Sequence, residues 1–123
     1  MPHLLSEPFT LNDHTILLFT RNGLGEAPAE LQQKLAVKFL QLNLDANTLP
    51  AKILFYTDGV RLACEGSPVI GELQALKDRG VELILCSTCL DYFGLRDKAL
   101  VGIVGGMPDI IEVLSAAEKV ISL

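Results

Sequence analysis

The chain lacks any run near the roughly 20 uninterrupted apolar residues that a membrane-spanning helix needs. Its first residues, Met1-Pro2-His3-Leu4-Leu5-Ser6-Glu7, also lack the basic-then-apolar order of an export signal. A soluble, cytoplasmic protein is expected. Clustered Lys and Arg are missing too: ten basic residues face fifteen acidic ones, a net charge of −5, so the counterion release that drives nucleic-acid binding has no source. Neither nucleic acid nor membrane is expected as a partner. Cysteine is scarce and odd in number. Cys64, Cys86 and Cys89 do not form a closed disulfide framework, which suits thiols kept reduced in the cytoplasm. Of the two histidines, His3 and His14, neither has an identifiable catalytic partner. Repeats, low-complexity tracts and linkers are absent as well.

What is present is 123 residues, half of them hydrophobic, which is enough for one core and too little for two ordinary domains. One domain over 1–123 is expected, with 1–13 as a polar lead-in. A chain of this size buries roughly two-thirds of its unfolded surface, so neither disulfide nor structural metal is needed to hold it. The apolar run from His14 to Thr20, bounded by Arg21-Asn22-Gly23, reads as a buried strand. A helix follows from Ala29 to about Leu44 with an apolar stripe at Leu31, Leu35, Phe39 and Leu42, ended by Asn47 and Pro50. Ala51 to Thr57 reads as the second strand, with a long loop from Asp58-Gly59 to Glu65-Gly66-Ser67 as a candidate rim of a site.

Ser67-Pro68 predicts an N-cap and first-turn proline for a second helix that stops at Gly80. Strands are expected at Val81 to Cys86, Leu100 to Val104 and Lys119 to Leu123. A short helical stretch toward Leu95 and a helix carried by Met107, Ile110, Ile111, Leu114 and Ala117 fill the gaps. Alternating strands and helices predict an α/β fold, a three-layer α/β/α sandwich around a mostly parallel five-stranded sheet.

Ligands gather outside the carboxyl ends of strands in such sheets, which makes Cys86-Ser87-Thr88-Cys89, at the end of the third long strand, the functional candidate. An ordinary thiol, with a pKa near 8.5, is only about 3% thiolate at pH 7, and free N–H groups at a helix start would raise that fraction at Cys86. Asp91 would oppose it if close. Three readings compete: inert core cysteines, part of a zinc site, or a redox or sulfur-handling pair. A Cys3His zinc set is arithmetically available with His3 or His14, but no second pair stands at ligand spacing. A thioredoxin-type pair would follow the first βαβ strand and face a later cis-proline, and neither feature fits. No metal or cofactor site is therefore expected.

The stretch Cys86-Ser87-Thr88-Cys89-Leu90-Asp91-Tyr92-Phe93-Gly94-Leu95 closely resembles the motif of the DsrE-like family, most of all the C-terminal DsrE-like domain of YedF-type selenium-metabolism proteins. The likeness extends through Glu65-Gly66-Ser67, Leu73 to Gly80, Val101-Gly102, Gly106-Met107-Pro108-Asp109-Ile110 and Lys119-Val120-Ile121. The resemblance implies a three-layer domain assembling as a homotrimer or hexamer. It also implies a sulfurtransferase-like role in sulfur or selenium relay, with sulfur carried as a persulfide on Cys86. Cys89 matches the second cysteine of the motif, and Cys64 matches no family position. YedF-type chains carry an N-terminal TusA-like domain that this sequence lacks, so a separate TusA-like carrier or persulfide donor protein is the implied partner.

Lesser features take plainer readings. Gly23-Leu24-Gly25-Glu26 lacks the spacing and lysine of a phosphate loop and reads as a turn. Cys64 reads as a satisfied, partly buried thiol, and Asp58, Glu65 and Asp91 as turn or cap residues. Tyr92, Phe93 and Leu95 beside the thiol pair read either as core or as an apolar interface that places sites near subunit contacts, with interface the favoured of the two.

Overall fold

Five short strands pair in the order β4-β3-β2-β1-β5. They are β1 (Thr15–Phe19), β2 (Lys52–Phe55), β3 (Glu82–Cys86), β4 (Ile103–Gly105) and β5 (Lys119–Ser122). The helices between them are α1 (Ala29–Ala46), α2 (Ile70–Asp78), α3 (Ser87–Tyr92) and α4 (Met107–Ala116). This computed structural model describes residues 11–123; most of the lead-in, His3 included, lies outside them. All four strand pairings are parallel, so the sheet expected to be mostly parallel is wholly so.

From β1 to β4 the chain steps across the sheet in one direction, and right-handed crossovers therefore put α1, α2 and α3 on one face. The return from β4 at one edge to β5 at the other carries α4 over the opposite face. Every residue of β1 is buried, as a strand covered on both faces should be. Leu17, Ile53 and Leu83 stand in register toward α1 and α2. Phe19 and Phe55 stack at 5.6 Å between ring centroids, both fully buried. Ile84, one residue out of phase, lies beneath α4.

Four expectations need correction. First, α1 runs to Ala46, where Asn47 turns left-handed and donates its N–H to the Leu44 carbonyl at 3.1 Å. Its buried face is Ala36 and Leu40, while Leu31, Leu35 and Leu42 of the expected stripe are exposed. The helix is apolar on two sides, and the sequence does not say which side the sheet takes. Second, α2 begins at Ile70 because Ser67 is used one turn earlier. Its N–H closes a turn on the Cys64 carbonyl and its hydroxyl accepts the Val69 N–H at 3.2 Å. Gly80 then stops the helix as expected, at φ +96°.

Third, the long loop after β2 starts with a 3-10 helix, Thr57–Ala63, that buries Val60, Leu62 and Ala63. Fourth, β4 begins at Ile103 and not at Leu100. The preceding stretch is drawn to the end of that 3-10 helix: Leu100 donates to the Ala63 carbonyl at 2.8 Å, and Ala99 bridges Cys64 antiparallel.

Candidate functional site

The thiol pair sits at the carboxyl end of β3, where topology placed it. Cys86 is the last residue of β3 and the N-cap of α3, and it is 1% exposed. Cys89, one helical turn on, is half-buried. The N-terminal N–H groups of α3 do not cap the Cys86 side chain, contrary to expectation. The backbone donor found at a sulfur points at Cys89: the Thr57 N–H reaches its Sγ at 3.0 Å.

Thr57 is a residue that the sequence did not single out. It lies two residues beyond the end of β2 and holds φ +50°, a left-handed conformation that costs a side-chain-bearing residue about 1–2 kcal/mol. Its hydroxyl holds it there, donating to the Thr20 carbonyl at 2.6 Å with the Tyr56 carbonyl also in reach at 2.7 Å. The sequence signal lay in the next two residues, Asp58-Gly59. Gly59 is not at positive φ; it is a glycine because a Cβ there would be driven into the Phe19 carbonyl.

The electrostatics differ from those of an activated thiol. Burial pushes the Cys89 thiol above its ordinary value, the Thr57 N–H pulls it part-way back, and a hydrogen bond shared with Cys86 raises it again. Asp91, the feared opposing charge, is engaged by Arg96 through a bidentate pair at 2.8 and 2.9 Å. That hydrogen-bonded guanidinium lowers the Asp91 carboxyl. Because the folded value is depressed, the pair's contribution is present above the ordinary carboxylate range and fades as pH falls through the folded value. An NMR titration should find Asp91 below the usual carboxylate midpoint of about 3.9, and Arg96→Gln should return it there.

Cys64 is apart from this pair in character. It is 1% exposed, its Sγ donates to the Val60 carbonyl at 3.2 Å, and burial raises its pKa. Arg61 pairs with Asp58 at 3.1 Å and lies over the Phe93 ring at 4.2 Å, tying the 3-10 helix to α3. Tyr92 is 84% exposed beside the thiols, so it is surface and not core. The Gly23-Leu24-Gly25 turn is folded back on the second turn of α1, with Leu24 donating to the Gln32 carbonyl at 3.0 Å. His14 meets Glu118 at 3.2 Å at the amino-terminal edge of the sheet, far from the thiols in topology. Among the described residues, no group of three or more His, Cys, Asp and Glu is placed to hold a metal ion. Nor is any helix among them long and apolar enough to cross a membrane.

A groove of about 430 Å³ runs on the other face, between α4 and strands β3 and β4. It is lined by Ile84, Ile103, Val104, Asp109 and Val113 among others.

The model of the DsrE/DsrF-like family matches residues 24–123, which include both thiols and Thr57. The chain belongs to that family. The DsrE/DsrF-like family is associated with sulfur relay in general. No curated protein matches the chain. Among solved structures it is similar to the ychN protein of E. coli, with 19% identity, a TM-score of 0.63, and 92% of this chain and all of the other covered. It is also similar to MTH1491, a protein of unknown function from Methanobacterium thermoautotrophicum. There the identity is 20% and the TM-score 0.60, over 90% of this chain and all of that one. BT1422 of Bacteroides thetaiotaomicron, likewise of unknown function, matches at 14% identity and a TM-score of 0.61, covering 89% of this chain and 95% of that one. At these identities the likeness establishes the DsrE-like fold. The thiol geometry is this chain's own.

Proposed function

We propose that this DsrE-like protein is a cytoplasmic sulfurtransferase-like carrier in which the Cys86 and Cys89 thiols pass on sulfur, or selenium, as a persulfide-type adduct held on Cys86. The observation that carries this reading is the pair itself: two thiols one helical turn apart at the carboxyl end of a central strand, one of them contacted by a backbone N–H at 3.0 Å. The YedF-type likeness of residues 86–95 supports the assignment of Cys86 as carrier. Cys89 then releases the cargo by attacking the inner sulfur of the Cys86 persulfide. Hydrosulfide leaves, a Cys86–Cys89 disulfide forms, and a cellular thiol must reduce it before the next cycle.

The exposed surface supports a choice of partners. A TusA-like carrier or another persulfide donor protein would meet the thiols beside exposed Tyr92. Copies of the chain would cover two apolar areas on opposite faces of the sheet. One is Ile103, Met107 and Ile111 around α4; the other is the Leu31, Leu35 and Leu42 stripe of α1. A homotrimer or hexamer uses both.

Incubation with a persulfide donor followed by mass spectrometry tests the reading. One added sulfur should settle on Cys86 in the wild type, and the double variant Cys86→Ala with Cys89→Ala should abolish its retention. An unmodified wild-type peptide would sink the idea. A second reading, a non-catalytic oligomeric interaction module with structural thiols, is favoured by the burial of Cys86 and by the exposed apolar areas. It takes over if all three cysteines resist a thiol reagent until the protein is unfolded.

A further inference from the structure

We infer that sulfur reaches Cys89 first and is then handed to Cys86, with the Thr57 backbone N–H stabilising the charge that Cys89 Sγ carries in both transfers. This rests on the sulfur-relay reading above. At 1% exposure, in a strand flanked by β2 and β4, Cys86 offers no surface to an outside donor. Cys89 is the half-buried member of the pair, set on α3 one helical turn beyond Cys86. Any sulfur bound for Cys86 passes Cys89.

In the first transfer the Cys89 thiolate attacks the outer sulfur of a donor persulfide. The donor's S–S bond breaks, Cys89 gains a persulfide, and the donor leaves as a thiolate that takes up the proton Cys89 gave. In the second, the Cys86 thiolate attacks the outer sulfur of the Cys89 persulfide. A new S–S bond forms on Cys86 and Cys89 leaves as a thiolate, recovering the proton that Cys86 lost. Neither transfer changes the net oxidation state, so neither needs a reductant. Cys89 Sγ is the attacking anion in one and the leaving anion in the other, which is the atom that the Thr57 N–H meets at 3.0 Å.

That donor is held by construction. Thr57 is exposed, so packing of its own side chain does not force its left-handed backbone. The hydroxyl bond to the Thr20 carbonyl does, tying the end of β2 to the end of β1. Tyr56 still donates into the ladder, to the Phe19 carbonyl at 3.1 Å, whereas the next N–H is turned out of it and onto sulfur. Thr57 is thus a positioning residue for Cys89.

Two measurements on the full chain test this. With glutathione persulfide as donor, Cys86→Ser should retain added sulfur at Cys89, and Cys89→Ser should load Cys86 at least about tenfold more slowly than wild type. Loading of Cys86 at the wild-type rate in Cys89→Ser, or no sulfur at Cys89 in Cys86→Ser, overturns the order while the relay reading stands. No added sulfur in any variant, wild type included, overturns both.

The second measurement is the pH profile of Cys89 alkylation by iodoacetamide, read by peptide mass. The wild-type midpoint should lie above the ordinary thiol value of about 8.5. Thr57→Val, which loses the hydroxyl anchor, should raise it by about one unit and slow labelling at neutral pH about tenfold, and Thr57→Ser should restore it. Thr57→Gly, which reaches the same φ without strain, reads the same loss of anchor should the valine variant fold poorly. A wild-type midpoint in these folded anchor-less variants overturns the role of Thr57.

Discussion

Phe55→Ala should destabilise the protein by about 3–5 kcal/mol, a large part of the 5–15 kcal/mol that holds a typical domain. Phe55 is fully buried at the centre of the sheet, its ring stacked on Phe19 with the planes 11° apart. Truncation removes that ring's transfer free energy and leaves a cavity. The neighbours Phe19 and Leu85 are backbone-fixed in the adjacent strands, so collapse around it is limited. The consequence reaches the thiols, because Phe55 is two residues before Thr57 and anchors the strand end that presents its N–H. Thermal unfolding should fall by roughly 10–20 °C. A change of a few degrees would mean that the sheet repacks more freely than its registered strands suggest.

Much of this fold was legible because strands buried on both faces leave an uninterrupted apolar trace. Thr15–Phe19 and Glu82–Cys86 were expected within a residue or so of where they lie, and their parallel order followed from the helices between them. The misreadings share a physical cause, which is that an apolar residue does not announce what covers it. Met107, Ile110, Ile111, Leu114 and Ala117 carry the apolar pattern of α4, yet of these Ile110 alone is fully buried, while Met107 and Ile111 are exposed. Leu31, Leu35 and Leu42 likewise form a good stripe that faces outward. Local signals failed where a neighbouring turn competed with them: Ser67 would cap a helix in isolation, but the Cys64 carbonyl draws it into an earlier turn.

The site divides the same way. Cys86 and Cys89 were legible from strand position, since the edge where ligands collect follows from topology alone. The donor to Cys89 was not, because Thr57 lies 32 positions away in the chain and its left-handed φ is imposed by a bond to a third strand end. The sequence marked Asp58-Gly59 as the turn, and the structure uses Gly59 for closeness and Thr57 for the turn. The polarity of Cys86 was also out of reach. Its position at the start of α3 suggested capping N–H groups on sulfur, whereas the structure leaves the side chain uncapped and buried.

That use of Gly59 leads to the other large effect. Gly59→Ala should cost about 3 kcal/mol or more, at the upper end for overpacking, because the added Cβ meets backbone and not a side chain that could swing aside. The obstacle is the Phe19 carbonyl at the end of β1, which already accepts the Tyr56 N–H at 3.1 Å. Relief therefore requires the 3-10 helix to lift off β1. Lifting it weakens the Tyr56 bond, carries Thr57 away from the Thr20 carbonyl, and withdraws the N–H from Cys89. The stability loss should come with a shifted Cys89 alkylation profile in whatever fraction stays folded. Gly71→Ala is the contrast: it lies in α2 with open space at its Cβ and should be neutral or gain up to about 1 kcal/mol. Denaturant unfolding of the two variants separates a glycine needed for close approach from one that is not. Equal midpoints would show that the 3-10 helix is free to move, and with it the donor that Cys89 depends on.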